Sequence, residues 1–140
     1  MSKVLYTAKS TAEGGRQGTV TSSDKTLQLS LSMPKGLGGT EKPGTTNPEQ
    51  LFSAGYAACF DSALQLAAGQ AKKKIHSRVN AEVSIGEEDG GFGLSVKLQA
   101  VIDGVSQEEA EELVKAAHQV CPYSRATRGN IEVEVSAKAI

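Results

Sequence analysis

Residues 47–74 read NPEQLFSAGYAACFDSALQLAAGQAKKK, and this stretch decides the architecture. Asn47 can cap a helix, Pro48 suits its first position, and Glu49-Gln50 complete a capping-box-like start. Apolar residues then fall on nearly every face: Leu51, Phe52, Tyr56, Phe60, Leu64 and Leu66, with alanines between. A helix with no polar side is buried all round. One sheet covers only one side of it, so a second covering layer is expected. The helix is expected to run to about Lys74, with Lys72, Lys73 and Lys74 complementing the macrodipole in its last turn. Gly55 is a point where it could break. From Gln50 to Ala71 the only charge is Asp61, and the length would span a bilayer. Its serines, glutamines and many alanines favour a buried helix of a soluble protein instead.

Strand patterns flank this helix. Val4, Tyr6 and Ala8 alternate with polar residues, as do Leu27, Leu29, Leu31 and Met33, and a short strand from Gly18, GTVTSS, fits between them. Gly14-Gly15 marks a turn, and residues 34–46 form an aperiodic Gly/Pro-rich loop, a kind often functional or bordering another subunit. Beyond the helix, Val79, Ala81, Val83 and Ile85 alternate, as do Leu94, Val96, Leu98, Ala100 and Ile102, with a turn at 87–91. A second, amphipathic helix opens on a Ser106/Glu109 capping box and runs towards Cys121, where Pro122 disturbs it. Ile131, Val133, Val135, Ala137 and Ala139 give the last strand. The order βββ-α-ββ-α-β predicts an α+β fold with a largely antiparallel sheet, residues 1–140 forming a single domain.

Composition narrows the function. Lys plus Arg is 15 against 16 Asp plus Glu, a net charge of −1 that argues against nucleic acid or an anionic membrane as partner. Only 4% of residues are aromatic and there is no Trp, so Ala, Val, Leu and Ile must fill most of the core. Two cysteines are too few for a disulfide scaffold. The N-terminus shows no apolar targeting segment, so a cytoplasmic location is expected.

Each chemically capable residue has a plain reading beside a functional one. Cys59 is a small core residue or a nucleophilic thiolate, which needs a nearby positive charge or a helix N-terminus. Cys121 is filler or a second thiol able to resolve a sulfenic acid; no CxxC spacing joins the two. Glu49 complements a helix dipole, and Arg16 is a solvated loop residue. As a pair, a carboxylate could hold the guanidinium fork while the fork stabilises a thiolate and orients a peroxide oxygen. Glu49 precedes Cys59 by ten residues, ~15 Å along a straight helix. One Arg can therefore serve both only if the helix breaks, most simply near Gly55, or if Cys59 comes from a partner chain. His76 and His118 complete a Cys2His2 count, but without CxxC or HxxxH spacing no metal site is expected.

Three strings then converge: GGRQG around Arg16, TNPEQLFSAGYAACF around Glu49 and Cys59, and VCPYSRATRGN around Cys121. Together they resemble the organic hydroperoxide resistance proteins, the Ohr branch of the Ohr/OsmC family, over essentially the whole chain. The resemblance implies a thiol-dependent peroxidase acting on organic, lipid-type hydroperoxides in defence against oxidative stress. Cys59 would be the peroxidatic and Cys121 the resolving cysteine, joined in a disulfide; Arg16 would activate the thiolate and Glu49 orient Arg16. It further implies an OsmC/Ohr-like fold in which sheets wrap a central helix in an intertwined homodimer. No bound cofactor is implied, and reduction would come from dihydrolipoyl groups of a lipoylated protein or another small dithiol. Phe52, Tyr56, Phe60, Phe92 and Met33, the bulky apolar residues near the motifs, are the candidates for substrate contact, with core packing as the alternative for each. Two other classes of function use the same residues: a non-catalytic thiol redox sensor or binding module, and a hydrolase pairing Cys59 with His76 or His118.

Overall fold

The computed structural model describes residues 3–140. The chain falls into two compact units, one reaching to Leu51 and the other running from Phe52 to Ile140.

The first unit holds strands β1 (Ser10–Glu13), β2 (Thr19–Ser22) and β3 (Gln28–Ser30), an antiparallel sheet in that order. A 3-10 turn, Gly15–Gln17, joins β1 to β2 and carries Arg16. Its closure is tight: a Cβ on Gly18 would lie 1.6 Å from the Glu13 carbonyl oxygen, so only glycine fits. The strand expected through Val4, Tyr6 and Ala8 does not form. Ser10 pairs with Ser22, where β2 ends, so no strand lies opposite the preceding residues, and Val4, Leu5 and Tyr6 are exposed. Met1 and Ser2 lie outside the described residues. The strand expected from Leu27 to Met33 is shortened to β3. Leu31 continues it only as a bridge to Thr46, because its neighbour Ser32 gives its N–H to Thr46.

Helix α1 (Pro48–Gln70) starts as its sequence predicts, with Asn47 Oδ1 accepting the Gln50 N–H at 2.8 Å. It is continuous through Gly55, so the expected break is absent. It also stops short of the lysines. Lys72 takes a left-handed backbone (φ 57°), the last turn holds no basic residue, and Lys73 pairs instead with Glu109. Within the second unit α1 buries Tyr56, Phe60, Ala63, Leu64, Ala67 and Ala68, a stripe at helical spacing. Ala54, Ala58, Ser62 and Leu66 are exposed, so the second cover expected for this helix is not supplied by the unit itself.

The second unit's sheet has the order β4 (His76–Glu88), β5 (Gly91–Asp103), β6 (Glu132–Ala139). Asp89 and Gly90, both at positive φ, make the two-residue hairpin turn between β4 and β5. The other three strand pairs are antiparallel, as expected, but β6 runs parallel to β5, and the strands form two sheets rather than one. The cause is the connection. α2 (Gln107–Val120) and α3 (Pro122–Thr127) lie between β5 and β6, and a helical crossover returns the chain in the same direction. The predicted Ser106/Glu109 capping box opens α2. α3 is an element the local sequence pattern does not announce: Pro122 ends α2 and also suits the first turn of a new helix. Val96, Leu98 and Ile102 of β5 and Leu113, Val114 and Ala117 of α2 pack with the buried stripe of α1. Among the described residues no helix is long and apolar enough to cross a membrane.

Candidate active site

Arg16 and Glu49 form a two-point ion pair. Nη1 donates to Oε1 at 2.7 Å and Nη2 to Oε2 at 2.8 Å. The 3-10 turn places the guanidinium and the first turn of α1 places the carboxylate. Each partner shifts the other: the Arg16 hydrogen bonds hold the Glu49 carboxyl below its usual range, and Glu49 raises the Arg16 guanidinium. A planar fork gripped at both ends has one orientation, which is what a guanidinium presented to a reacting group needs.

In the second unit, Cys59 of α1 faces Cys121, the residue between α2 and α3. Their sulfurs are 3.7 Å apart and both thiols are free. Cys121 is fully buried and Cys59 partly so. Burial pushes the Cys59 thiol up, a backbone hydrogen bond from Tyr123 pulls it down, and Cys121 pushes it up again, for a net rise. A thiolate at Cys59 therefore needs added positive charge.

Aromatic rings cluster along α1. Phe52, Tyr56 and Tyr123 have centroids 5.5 to 6.0 Å apart. Gly55 makes this possible, since a Cβ there would stand 2.7 Å from the Tyr123 hydroxyl oxygen. The glycine expected to break the helix is instead the seat of a ring. Tyr56 and Phe60 are fully buried, while Phe52 is half-buried. Phe92 lies at the hairpin end of β5, 67% exposed, and Met33 is half-buried in the first unit. The structure therefore groups Phe52, Tyr56, Cys59 and Cys121, and separately Arg16 and Glu49.

Tyr123 and Ser124 are the residues that sequence reasoning missed. Tyr56 Oη lies 2.8 Å from Ser124 Oγ and 3.2 Å from Thr127 Oγ1, and Ser124 Oγ lies 2.8 Å from His118 Nδ1. Their signal is present in the CPYS string, but its counterpart in AGY lies 68 residues earlier. His118 is held below its ordinary value by burial, with Arg128 adding repulsion. Its Nδ1 is engaged with Ser124, and His76 is exposed at the start of β4, which gives the hydrolase reading no support. Among the described residues no group of three or more His, Cys, Asp or Glu is placed to hold a metal ion.

A model of the OsmC-like protein family matches residues 39–136. The organic hydroperoxide resistance protein of Xanthomonas axonopodis pv. citri (strain 306) is 53% identical over 136 residues, which cover 96% of this chain and 95% of that protein. Organic hydroperoxide resistance protein OhrA of Bacillus subtilis (strain 168) is 53% identical over 135 residues, 95% of this chain and 96% of its own. A crystal structure of an organic hydroperoxide resistance protein from Elizabethkingia anophelis, with thiocyanate bound, superposes with a TM-score of 0.92 at 54% identity, covering 99% of both chains. The chain belongs to the OsmC-like family, in its branch of organic hydroperoxide resistance proteins.

Proposed function

We propose that this chain is a cysteine peroxidase that reduces organic hydroperoxides to alcohols in defence against oxidative stress. The observation that carries the proposal is the 3.7 Å approach of two free thiols from distant parts of the chain. The names of its relatives support the substrate class. The Cys59 thiolate attacks the terminal oxygen of the hydroperoxide. The O–O bond breaks, the alkoxide leaves and takes a proton as the alcohol, and Cys59 becomes a sulfenic acid. The Cys121 thiol then attacks that sulfur, forming S–S and releasing water. An external dithiol, a dihydrolipoyl group in this proposal, reduces the disulfide and restores both thiols.

Arg16 supplies the charge that the Cys59 surroundings lack, and Glu49 holds it in place. Because α1 is unbroken between Glu49 and Cys59, the proposal assigns this pair to the Cys59 of a second copy, in a homodimer. Exposed Ala54, Ala58 and Ser62 of α1 suit such a partner, since small side chains allow close approach. Phe52, half-buried beside Tyr123, is assigned to the apolar wall that receives the substrate's hydrocarbon part. Tyr56 and Phe60, fully buried, back that wall. The proposed setting is the cytoplasm, where a dithiol reductant is at hand.

Steady-state consumption of cumene hydroperoxide with dihydrolipoamide tests the reading, with thioredoxin as the competing donor. Many turnovers per chain are expected with the lipoyl donor. A single turnover per chain would make the protein a redox sensor instead.

A further inference from the structure

The strings AGYAACF and CPYSRATRGN lock onto each other, and the node of the lock is Ser124. Gly55 seats the Tyr123 ring, Tyr56 meets Ser124 and Thr127, and Cys59 meets Cys121. Ser124 is fully buried, and its one hydroxyl lies 2.8 Å from Tyr56 Oη on α1 and 2.8 Å from His118 Nδ1 on α2. Cys121 falls midway between His118 and Ser124 in sequence. The turn that carries it is thus tied down three residues before and three residues after the sulfur. Arg128 adds a hydrogen bond to the His118 carbonyl oxygen.

The thiols cannot do this for themselves. An S–H···S contact is a weak hydrogen bond, and the six-residue α3 is too short to hold its own position. A buried hydroxyl with two partners, by contrast, has one satisfied arrangement, and losing it leaves polar groups unpaired in the core.

We propose that Ser124 is the positioning residue for disulfide closure, holding α3 against Tyr56 and His118 so that Cys121 stays within reach of Cys59. The inference rests on the peroxidase reading above and assigns Ser124 to its second step. In that step the Cys121 thiol attacks the Cys59 sulfenic sulfur. The S–S bond forms, the S–O bond breaks, and the sulfenic hydroxyl leaves as water with the thiol proton. Ser124 takes no part in the bond changes. It acts through proximity, which governs this step and not the attack of Cys59 on an incoming hydroperoxide.

The test separates the two steps. Wild type, Ser124→Ala and Tyr56→Phe are each mixed with one equivalent of cumene hydroperoxide. Sulfenic acid at Cys59 is trapped with dimedone and the Cys59–Cys121 disulfide is followed by mass spectrometry over time. The ratio of the closure rate to the sulfenic-acid formation rate is expected to fall about tenfold or more in Ser124→Ala, with dimedone adduct accumulating. Tyr56→Phe keeps the ring, removes one partner of Ser124, and is expected to lower the same ratio by a smaller factor. An unchanged ratio in both variants overturns the proposal, as does unfolding of both, which would mark a purely structural role. Wild-type protein that forms neither sulfenic acid nor disulfide overturns the peroxidase reading itself, and this inference with it.

Discussion

The sulfurs of Cys59 and Cys121 lie 3.7 Å apart although 62 residues separate them in the chain. A disulfide needs about 2.05 Å, so closure requires only a small approach of two side chains already facing each other. α1 delivers one thiol in mid-helix and the α2–α3 junction delivers the other. In the proposed cycle this makes the two cysteines unequal. Cys59→Ser is expected to abolish turnover. Cys121→Ser is expected to stop after one oxidation, with one added oxygen at Cys59 that dimedone captures. Mass spectrometry of both variants after peroxide treatment distinguishes these fates.

The titration of Cys59 reports whether Arg16 is its charge partner. Burial and Cys121 raise its pKa above the ordinary thiol value of 9.0. An arriving Arg16 guanidinium favours the thiolate and must pull the value down. Thiolate absorbance against pH, measured in Cys121→Ser protein, is therefore expected to show Cys59 ionising below 9.0 with Arg16 present and above it in Arg16→Gln. At a pH well below the pKa, the thiolate fraction falls about tenfold for every whole pH step by which the ionisation midpoint rises, and the peroxide reaction rate at neutral pH should follow.

Glu49 should reveal itself at acid pH. Its carboxyl is held below the ordinary 4.5, chiefly by the Arg16 hydrogen bonds. A depressed folded-state pKa contributes stability that is present above the unfolded value and is lost as pH falls through the folded one. Denaturant titrations below the ordinary carboxylate range are expected to show an acid loss of stability that is shallower in Glu49→Gln. The same variant removes the charge that fixes the guanidinium, and its peroxidase rate is expected to drop roughly tenfold at pH 7.

Gly55→Ala probes the ring seat. In an ordinary helix this change gains up to about 1 kcal/mol. Here the new Cβ would stand 2.7 Å from the Tyr123 hydroxyl oxygen, so the ring must move off α1 and away from the wall beside Cys59. The melting temperature is expected not to rise and kcat/KM to fall. Gly55→Ala combined with Tyr123→Phe, which removes the crowded oxygen, is expected to recover part of the rate.

What can be read from the sequence depends on whether the signal is local. Asn47 and Ser106 cap their helices through bonds to residues three positions on, and alternation in 79–102 reports each residue's own face, so these elements stand out. The parallel pairing of β6 is a property of a connection spanning two helices, which no local period encodes. The strand expected at Val4 to Ala8 fails for a related reason. Its residues alternate correctly, but a strand also needs a neighbour, and β2 ends before it can provide one. At the site, the reactive residue types are visible singly. Arg16 and Glu49 can be paired on their chemistry although 33 residues separate them, whereas the meeting of Tyr56 and Ser124 across 68 residues leaves no local trace. Gly55 misleads because a glycine inside a helix signals a weak point unless the ring it accommodates is known.

Peptide mapping after one equivalent of cumene hydroperoxide tests the central claim most directly. A loss of two hydrogens per chain is predicted, with Cys59 and Cys121 linked to each other within that chain. A protein that stays fully reduced, or whose Cys59 is oxidised while Cys121 remains a free thiol, would contradict it.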